Sequence, residues 1–240
     1  MDTIHLKPEG KPLMIAHRGV SGLEKENTMP AFVAAGNRSY YGIETDIHKT
    51  ADGKYIVFHD DTTGRVAIDN MVVEETSYDT LRALPLTDKE GKRGRIDLRM
   101  PNLEEYINVC KYYDKYAVLE LKNQFEEADI YEICAIIDGL GYMEKTIFIS
   151  FAYDNLVYLR KKYPTQAAQF LIKNFTDDLI DRLKAHNLDL DIYYKSLDKE
   201  KIELCHKNGI LVNTWTVDKP EVAEDLISWG IDFITSNILE

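Results

Sequence analysis

The residues best suited to chemistry lie in two neighbouring apolar segments within the stretch GIETDIHKTADGKYIVFHD. Glu44 and Asp46 are two residues apart, so their side chains share one face of a strand. A third acid, Glu120, stands near the end of the next strand predicted to neighbour it. Three carboxylates meeting at an apolar site repel one another unless a cation neutralises them, and oxygen ligands favour Ca²⁺ or Mg²⁺. The alternative is that each acid pairs separately with Arg or Lys. His48 shares the same parity, but we expect it to pack or hydrogen-bond near the rim.

Two histidines and two basic residues follow strands in the same region. His17 and His59 each close an apolar segment, and a histidine pair facing a phosphorus atom could act as base and acid. The alternative is that each is a structural hydrogen-bonding residue. Arg18 and Lys122 add positive charge beside the acids. Together with three carboxylates and a divalent cation they leave a site charge of about +1, which suits a singly charged phosphodiester.

Eight short apolar segments alternate with amphipathic stretches, which predicts strands alternating with helices. We place the strands at 12–16, 42–48, 117–121, 146–150, 167–172, 190–194, 210–215 and 232–235. Eight β/α units without a linker predict a closed (β/α)₈ TIM barrel of the α/β class, with working residues at the carboxyl ends of the strands. An open doubly wound sheet is the alternative, but the chain lacks the glycine fingerprint of dinucleotide-binding proteins.

Three local signals complete the predicted architecture. The turn signal Asp52-Gly53 returns the chain to a segment at 54–60 that ends in His59-Asp60. The polar segment at about 61–100 is predicted to be a small insertion after the second barrel strand. Thr28 is placed to cap a helix at 29–37. We expect residues 1–240 to form a single domain.

Composition narrows the function classes. The formal net charge of −12 disfavours binding of nucleic acid and of anionic membrane surfaces. No apolar run reaches the ~20 residues that span a bilayer, so stable membrane insertion is not expected. The odd set Cys110, Cys134 and Cys205 forms no C-x-x-C pair and favours buried free thiols in a reducing compartment. We therefore expect a cytoplasmic protein, and a homodimer is one assembly that the sequence allows.

The motifs that carry a family resemblance extend over nearly the whole chain. They are HRG at 17–19, KENTMPAF at 25–32, IETDIHKTADGKYIVFHD at 43–60, MPNLEEYI at 100–107, LELK at 119–122, SF at 150–151, NTWTVD at 213–218 and GIDFITSN at 230–237. In this combination and order the sequence resembles the glycerophosphodiester phosphodiesterase family. Two positions depart from the family pattern. Lys25 replaces a common proline, and the chain reads ITSN where Thr-Asp is common, so Asn237 supplies no charge.

The resemblance implies a barrel with an insertion after the second strand, and metal-dependent hydrolysis of glycerophosphodiesters to sn-glycerol 3-phosphate and an alcohol. Each implied role falls on a matching position. Glu44, Asp46 and Glu120 would hold Ca²⁺ or Mg²⁺, His17 and His59 would be the acid/base pair, Arg18 and Lys122 would contact phosphate, and Trp215 would face the glycerol or leaving-group side. The expected partner is thus a small glycerophosphodiester.

Two other functions remain open at this point. One is a phospholipase D acting on lysophospholipids or sphingomyelin in a related barrel, which would need an exposed apolar rim for acyl chains. The other is a catalytically silent phosphoester-binding protein, which predicts the loss of at least one histidine or acid. All the residues named above are present.

Overall fold

The computed structural model describes residues 2–6 and 12–240. In these residues, nine strands form one sheet, and eight of them are parallel. The first barrel strand pairs with both the second and the last, so the sheet closes on itself. The strands are β1 Leu13–Ala16, β2 Gly42–Lys49, β3 Tyr55–Val57, β4 Tyr116–Leu121, β5 Thr146–Ser150, β6 Ala168–Ile172, β7 Asp189–Tyr193, β8 Val212–Trp215 and β9 Phe233–Ser236.

Helices connect successive barrel strands, as the alternating pattern predicts. The helices are α1 Met29–Gly36, α2 Tyr78–Ala83, α3 Leu103–Tyr112, α4 Glu127–Gly139, α5 Tyr153–Lys162, α6 Leu179–Ala185, α7 Lys199–Lys207 and α8 Pro220–Ser228. One helix joins each pair of successive barrel strands, and α2 is an additional helix within the insertion between β2 and β4, in agreement with the (β/α)₈ architecture. The three cysteines lie on α3, α4 and α7 and are free and buried, as expected.

Alternation along the strands divides the core into two apolar layers. Residues of one parity pack between the sheet and the helices, for example Ile43 and Ile47 of β2. Residues of the other parity point into the barrel, where Val118, Ile149 and Leu171 belong to one apolar cluster. This inner parity is also that of the acids on β2 and β4. The period of two thus carries these carboxylates to the barrel interior.

The insertion is less polar than its sequence suggested. Strand β3 pairs antiparallel with β2 outside the barrel, and the following segment contains α2 and two short 3₁₀ turns. Its buried apolar residues form a cluster of their own, distinct from the barrel core. That cluster comprises Ile56, Phe58, Val66, Ala67, Val73, Leu81, Leu84, Leu86, Leu98 and Met100. The insertion therefore has enough apolar burial to hold a defined shape over the barrel mouth.

Two local predictions need correction. Strand β3 ends at Val57, so His59 and Asp60 follow it in a loop rather than belonging to the strand. Thr28 occupies the position before α1, but its side chain makes no capping hydrogen bond. Its hydroxyl instead donates to the carbonyl oxygen of Lys25 (2.6 Å) in the loop before α1.

Candidate active site

The loop after β1 brings the backbone against the carboxylate cluster. Gly19 has φ +72°, and a Cβ there would lie 2.6 Å from the carbonyl carbon of Ala31 on α1, so only glycine fits. Arg18 itself has φ +53°, a strained conformation for a side chain of this size. This geometry lets the backbone N–H of Arg18 donate to Oε2 of Glu44 (2.8 Å).

The three predicted acids converge. Glu44, Asp46 and Glu120 are all buried and each offers an oxygen within 4.8 Å of the others. Asp46 of β2 and Glu120 of β4 are directly paired residues in the sheet register. The three carboxylates thus meet at one place, as strand parity predicts, and their role as metal ligands stays a prediction.

Two cations lie beside this cluster. Lys122 Nζ is 2.8 Å from Oε1 of Glu120 and 3.6 Å from Oδ1 of Asp46, and Arg18 Nε is 3.5 Å from Oδ2 of Asp46. Burial opposes ionisation of Asp46, but the charges of Arg18 and Lys122 outweigh it and hold its pKa well below the usual range. Burial and the charge of Asp46 raise the pKa of Glu44 well above its usual value, and they raise the pKa of Glu120 to about 7. Two basic side chains thus only partly offset three carboxylates.

The donor set fits a hard divalent cation. Oδ2 of Asp46 accepts a hydrogen bond from the side chain of Asn27 (2.8 Å), whereas Oδ1 of Asp46 is buried without a hydrogen-bond partner in the described residues. An unsatisfied buried carboxylate oxygen beside two further carboxylates is the environment that Ca²⁺ or Mg²⁺ can complete. His48 lies away from this cluster, as expected, with Nδ1 2.9 Å from Oε1 of Glu74.

His17 is oriented by a chain of hydrogen bonds from the residues that follow β9, the strand next to β1. The amide Nδ2 of Asn237 donates to Oδ2 of Asp218 (2.6 Å), which turns Oδ1 of Asn237 toward Nδ1 of His17 (2.7 Å). Because an amide oxygen only accepts, Nδ1 of His17 carries the proton and Nε2 carries the lone pair. Burial, with the charge of Arg18, lowers the pKa of His17 to about 4. This imidazole is therefore neutral.

His59 has a different partner. Its Nδ1 donates to Oδ1 of Asp60 (2.5 Å), so a carboxylate backs this ring. Burial lowers the pKa of His59, and the charge of Asp46 opposes that shift. Arg65, from the insertion, binds Oδ2 of Asp60 (2.6 Å) and both carboxylate oxygens of Glu26 (2.7 Å each), and so ties the loop of His59 to the loop after β1.

A cavity of about 120 Å³ opens at the carboxyl ends of the strands. Its walls include His17, Arg18, Glu44, His59, Glu120, Ile149, Phe151, Leu171, Asp191, Trp215, Thr216 and Thr235. The predicted acids and histidines that line it lie on one side. Trp215 stands on the other, with Phe151 edge-on at a ring-centroid distance of 5.7 Å and Tyr193 at 5.5 Å. The cavity therefore has a charged wall and an aromatic wall.

Several supporting residues were not identified from sequence. Asn237 directly follows β9, and polar residues at strand ends are expected to build the site. Because its side chain is uncharged, its contact with His17 was not predicted. Asn27 has φ +53° and reaches Asp46 from the loop before α1. Arg65 comes from the insertion, where nothing in the local sequence marks it. Asp191 lies inside an apolar strand and belongs to no sequence motif that would indicate a role.

Comparison with known proteins agrees with this geometry. Residues 17–239 match the model of the glycerophosphoryl diester phosphodiesterase family. A glycerophosphodiester phosphodiesterase from Caldanaerobacter subterraneus subsp. tengcongensis is 29% identical over 234 residues, covering 95% of this chain and 94% of that protein. A structure of an Oleispira antarctica phosphodiesterase in complex with the product sn-glycerol-3-phosphate has a TM-score of 0.86 at 25% identity, covering 95% and 93% of the two chains. A glycerophosphodiester phosphodiesterase structure from Parabacteroides distasonis has a TM-score of 0.79 at 27% identity, covering 95% and 94%.

The closed barrel, with acids and histidines gathered at the carboxyl ends of its strands, defines an enzyme of the (β/α)₈ class. The chain belongs to the glycerophosphoryl diester phosphodiesterase family, whose members are phosphoric diester hydrolases. Among the described residues, every helix is too short or too polar to cross a bilayer.

Proposed function

We propose that this enzyme hydrolyses glycerophosphodiesters to sn-glycerol 3-phosphate and an alcohol, with a divalent cation and two histidines. The observation that carries the proposal is a cluster of three carboxylates, two of which line one cavity together with both imidazoles. The product bound to the Oleispira antarctica phosphodiesterase, sn-glycerol-3-phosphate, is the product proposed here.

Glu44, Asp46 and Glu120 would hold Ca²⁺ or Mg²⁺. Their hard oxygen donors support this role, as does Oδ1 of Asp46, which accepts no hydrogen bond among the described residues. When bound, such a cation supplies Lewis-acid stabilisation of the charge that develops on the phosphoryl oxygens. Arg18 and Lys122 are the two side-chain cations beside the cluster, and they attract and orient the phosphodiester anion.

The hydrogen-bond partners of the two histidines support His17 as the base and His59 as the acid. His17 is neutral with its lone pair on Nε2, so it accepts the proton of the nucleophile, which is either the glycerol 2-hydroxyl or water. His59 is backed by the carboxylate of Asp60, which stabilises the imidazolium, and the negative charge of a bound phosphodiester favours it further. In the substrate complex, where these negative charges oppose the effect of burial on its pKa, protonated His59 would donate from Nε2 to the departing alkoxide.

Trp215, on the aromatic wall, packs against the organic part of the substrate. Of the described residues that line the cavity, Phe151 is the one exposed large apolar side chain, at 44%. A single aromatic ring is a small surface for an acyl chain, which favours diesters with polar alcohols over lysophospholipids or sphingomyelin. We further propose that residues 1–240 act as one catalytic domain with an insertion at about 61–100. A cytoplasmic location and a homodimer stay predictions from the sequence.

The decisive assay measures release of sn-glycerol 3-phosphate from glycerophosphocholine and glycerophosphoethanolamine. It is run with Ca²⁺, with Mg²⁺ and with excess chelator, on the wild type and on Glu120→Gln. We expect turnover that needs the cation and fails in Glu120→Gln. Glu104→Gln, an exposed acid on α3, is the matched control and should behave as the wild type.

Two results contradict the proposal separately. Undiminished turnover in chelator removes the cation from the reaction. Absence of hydrolysis with either diester under every metal condition rejects the proposed activity itself.

A further inference from the structure

The carboxyl group of Asp191 is buried inside the barrel without a partner. Asp191 is the middle residue of β7, is 2% exposed, and lines the cavity opposite the acids. Its Oδ1 makes no hydrogen bond among the described residues. An unsatisfied buried polar group destabilises a fold by about 1–3 kcal/mol, so its presence inside an apolar strand calls for a ligand.

The neighbouring polar side chains hydrogen-bond one another rather than Asp191. Oδ1 of Asn213, paired with Asp191 across the sheet, accepts a hydrogen bond from Thr235 (3.2 Å), and its Nδ2 donates to Gln169 (3.1 Å). This chain of hydrogen bonds runs through the barrel interior at the level of Asp191 but does not include Asp191. The free carboxyl oxygen is therefore left to the cavity.

A second unpartnered polar atom lies on the same wall. Nε1 of Trp215 is buried and has no hydrogen-bond acceptor among the described residues. Trp215 pairs with Tyr193 in the sheet register, so it stands two residues nearer the mouth than the partner of Asp191. The wall thus offers a donor from the indole and an oxygen from the carboxyl group.

This pairing of groups discriminates between ligands. A hydroxyl both donates and accepts, so it can satisfy Asp191 and Trp215. An ammonium group only donates and would leave the indole N–H of Trp215 without a partner. Burial, with a contribution from the charge of Glu120, raises the pKa of Asp191 well above its usual value, which also suits an uncharged ligand.

The position of Asp191 indicates which hydroxyl of the substrate it would bind. The leaving alcohol varies in size between glycerophosphodiesters, so it must project through the open mouth of a cavity of about 120 Å³. Asp191 lies one inward-facing position deeper on β7 than Tyr193, whose ring packs on Trp215 at the mouth. The glycerol, common to every such substrate, is the part that fits the deep end.

We propose that Asp191 and Trp215 form a subsite that binds the free terminal hydroxyl of the substrate's glycerol and so makes the enzyme specific for glycerol diesters. The inference rests on the proposed function, since it names the part of the same substrate that the wall opposite the acids recognises.

The test compares three substrates of the enzyme in the presence of its divalent cation. Two are glycerophosphocholine and glycerophosphoglycerol, which share the glycerol and differ in leaving-group charge. The third is the phosphocholine diester of propane-1,2-diol, which keeps the hydroxyl next to the ester and lacks only the terminal one. The wild type should prefer glycerophosphocholine to this analogue by ~30-fold or more in kcat/KM.

Variants then test whether Asp191 is the residue that distinguishes substrates with the terminal hydroxyl from the analogue without it. Asp191→Leu should lower kcat/KM by ~30-fold or more for both glycerol diesters and leave the propanediol analogue within about threefold of the wild type. Asp191→Asn, which keeps hydrogen-bonding capacity, should retain most of the preference. Asp189→Asn, which removes a carboxylate from the start of the same strand, is the control and should keep the wild-type ratio.

Each remaining outcome overturns the subsite. Equal wild-type rates with glycerophosphocholine and its analogue reject it without any variant, which keeps the test valid if Asp191→Leu does not fold. Loss for the choline diester alone assigns the carboxylate to the ammonium group instead. Equal loss for all three substrates makes Asp191 structural, and no loss leaves a buried water as its partner. Hydrolysis of none of the three by the wild type is a failure of the proposed function and is distinct from these.

Discussion

Replacement of Glu120 by glutamine should stabilise the protein without metal and destabilise it with metal. In the metal-free protein, burial and the charge of Asp46 raise the pKa of Glu120 to about 7, from an ordinary value of 4.5, despite the ion pair with Lys122. The folded state therefore holds a proton on Glu120 between about pH 4.5 and 7 that the unfolded chain has released. The free energy of unfolding consequently falls as the pH rises through this window and stays low above it.

The magnitude follows from the size of that gap. A difference between about 7 and 4.5, at about 1.4 kcal/mol per pKa unit, corresponds to about 3 kcal/mol at pH 8. Glutamine is neutral at every pH and similar in shape, so Glu120→Gln should recover up to that amount. A bound cation reverses the order at 1,000 times its Kd, because it then stabilises the wild type by about 4.1 kcal/mol, which exceeds the gain of the variant.

The assay is urea unfolding at pH 5 and pH 8, for wild type and Glu120→Gln, in chelator and then in Ca²⁺ or Mg²⁺. We expect the variant to be more stable at pH 8 in chelator, equal at pH 5, and unresponsive to metal. Glu104→Gln serves again as the control. A variant less stable than the wild type at pH 8 in chelator would refute the reasoning, because it would mean that the carboxylate cluster is held together without a cation.

Three further predictions concern the histidines and the loop contacts. His17→Gln and His59→Gln should each lower kcat by ~10²–10⁴-fold with intact folding by circular dichroism, and a double variant with full activity would reject acid/base catalysis by this pair. Asn237→Ala removes the acceptor that fixes the tautomer of His17, so kcat should fall about tenfold with KM unchanged; a rise in KM alone would indicate a substrate contact instead. Burial opposes ionisation of Glu26, but hydrogen bonds from Arg65 lower its pKa to about 2, so stability is lost as the pH falls from about 4.5 to 2. With allowance for the half-exposed Arg65, the loss should be about 2 kcal/mol and absent in Glu26→Gln, and identical acid unfolding of the two proteins would contradict it.

The barrel and the carboxylate cluster could be predicted from sequence for a simple physical reason. Strand parity alone decides that Glu44 and Asp46 face the same way, and adjacency of parallel strands brings Glu120 beside them. Both rules are local or follow from strand order, so neither requires knowledge of side-chain packing.

Most of the supporting contacts could not be predicted in this way, because they depend on side-chain orientation and on packing between distant segments. The pairing of β1 with β9 places Asn237 beside His17, but it does not orient the amide toward the ring. Arg65 reaches Glu26 only because the insertion folds over the barrel mouth. Asp191 follows the parity rule, but a lone acid in an apolar strand cannot be assigned a role until its neighbours are seen to bind one another.

The insertion has a consequence for how this enzyme can diversify. His17 follows the barrel strand β1. His59 instead follows β3, a strand outside the barrel whose Ile56 packs with Leu81 and Met100 in the separate apolar cluster. The proposed proton donor thus follows a strand that packs partly in this smaller cluster, whereas the proposed acceptor follows a strand of the barrel. Substitutions in the smaller cluster should shift the proposed donor, and with it the range of alcohols released, more than the proposed acceptor.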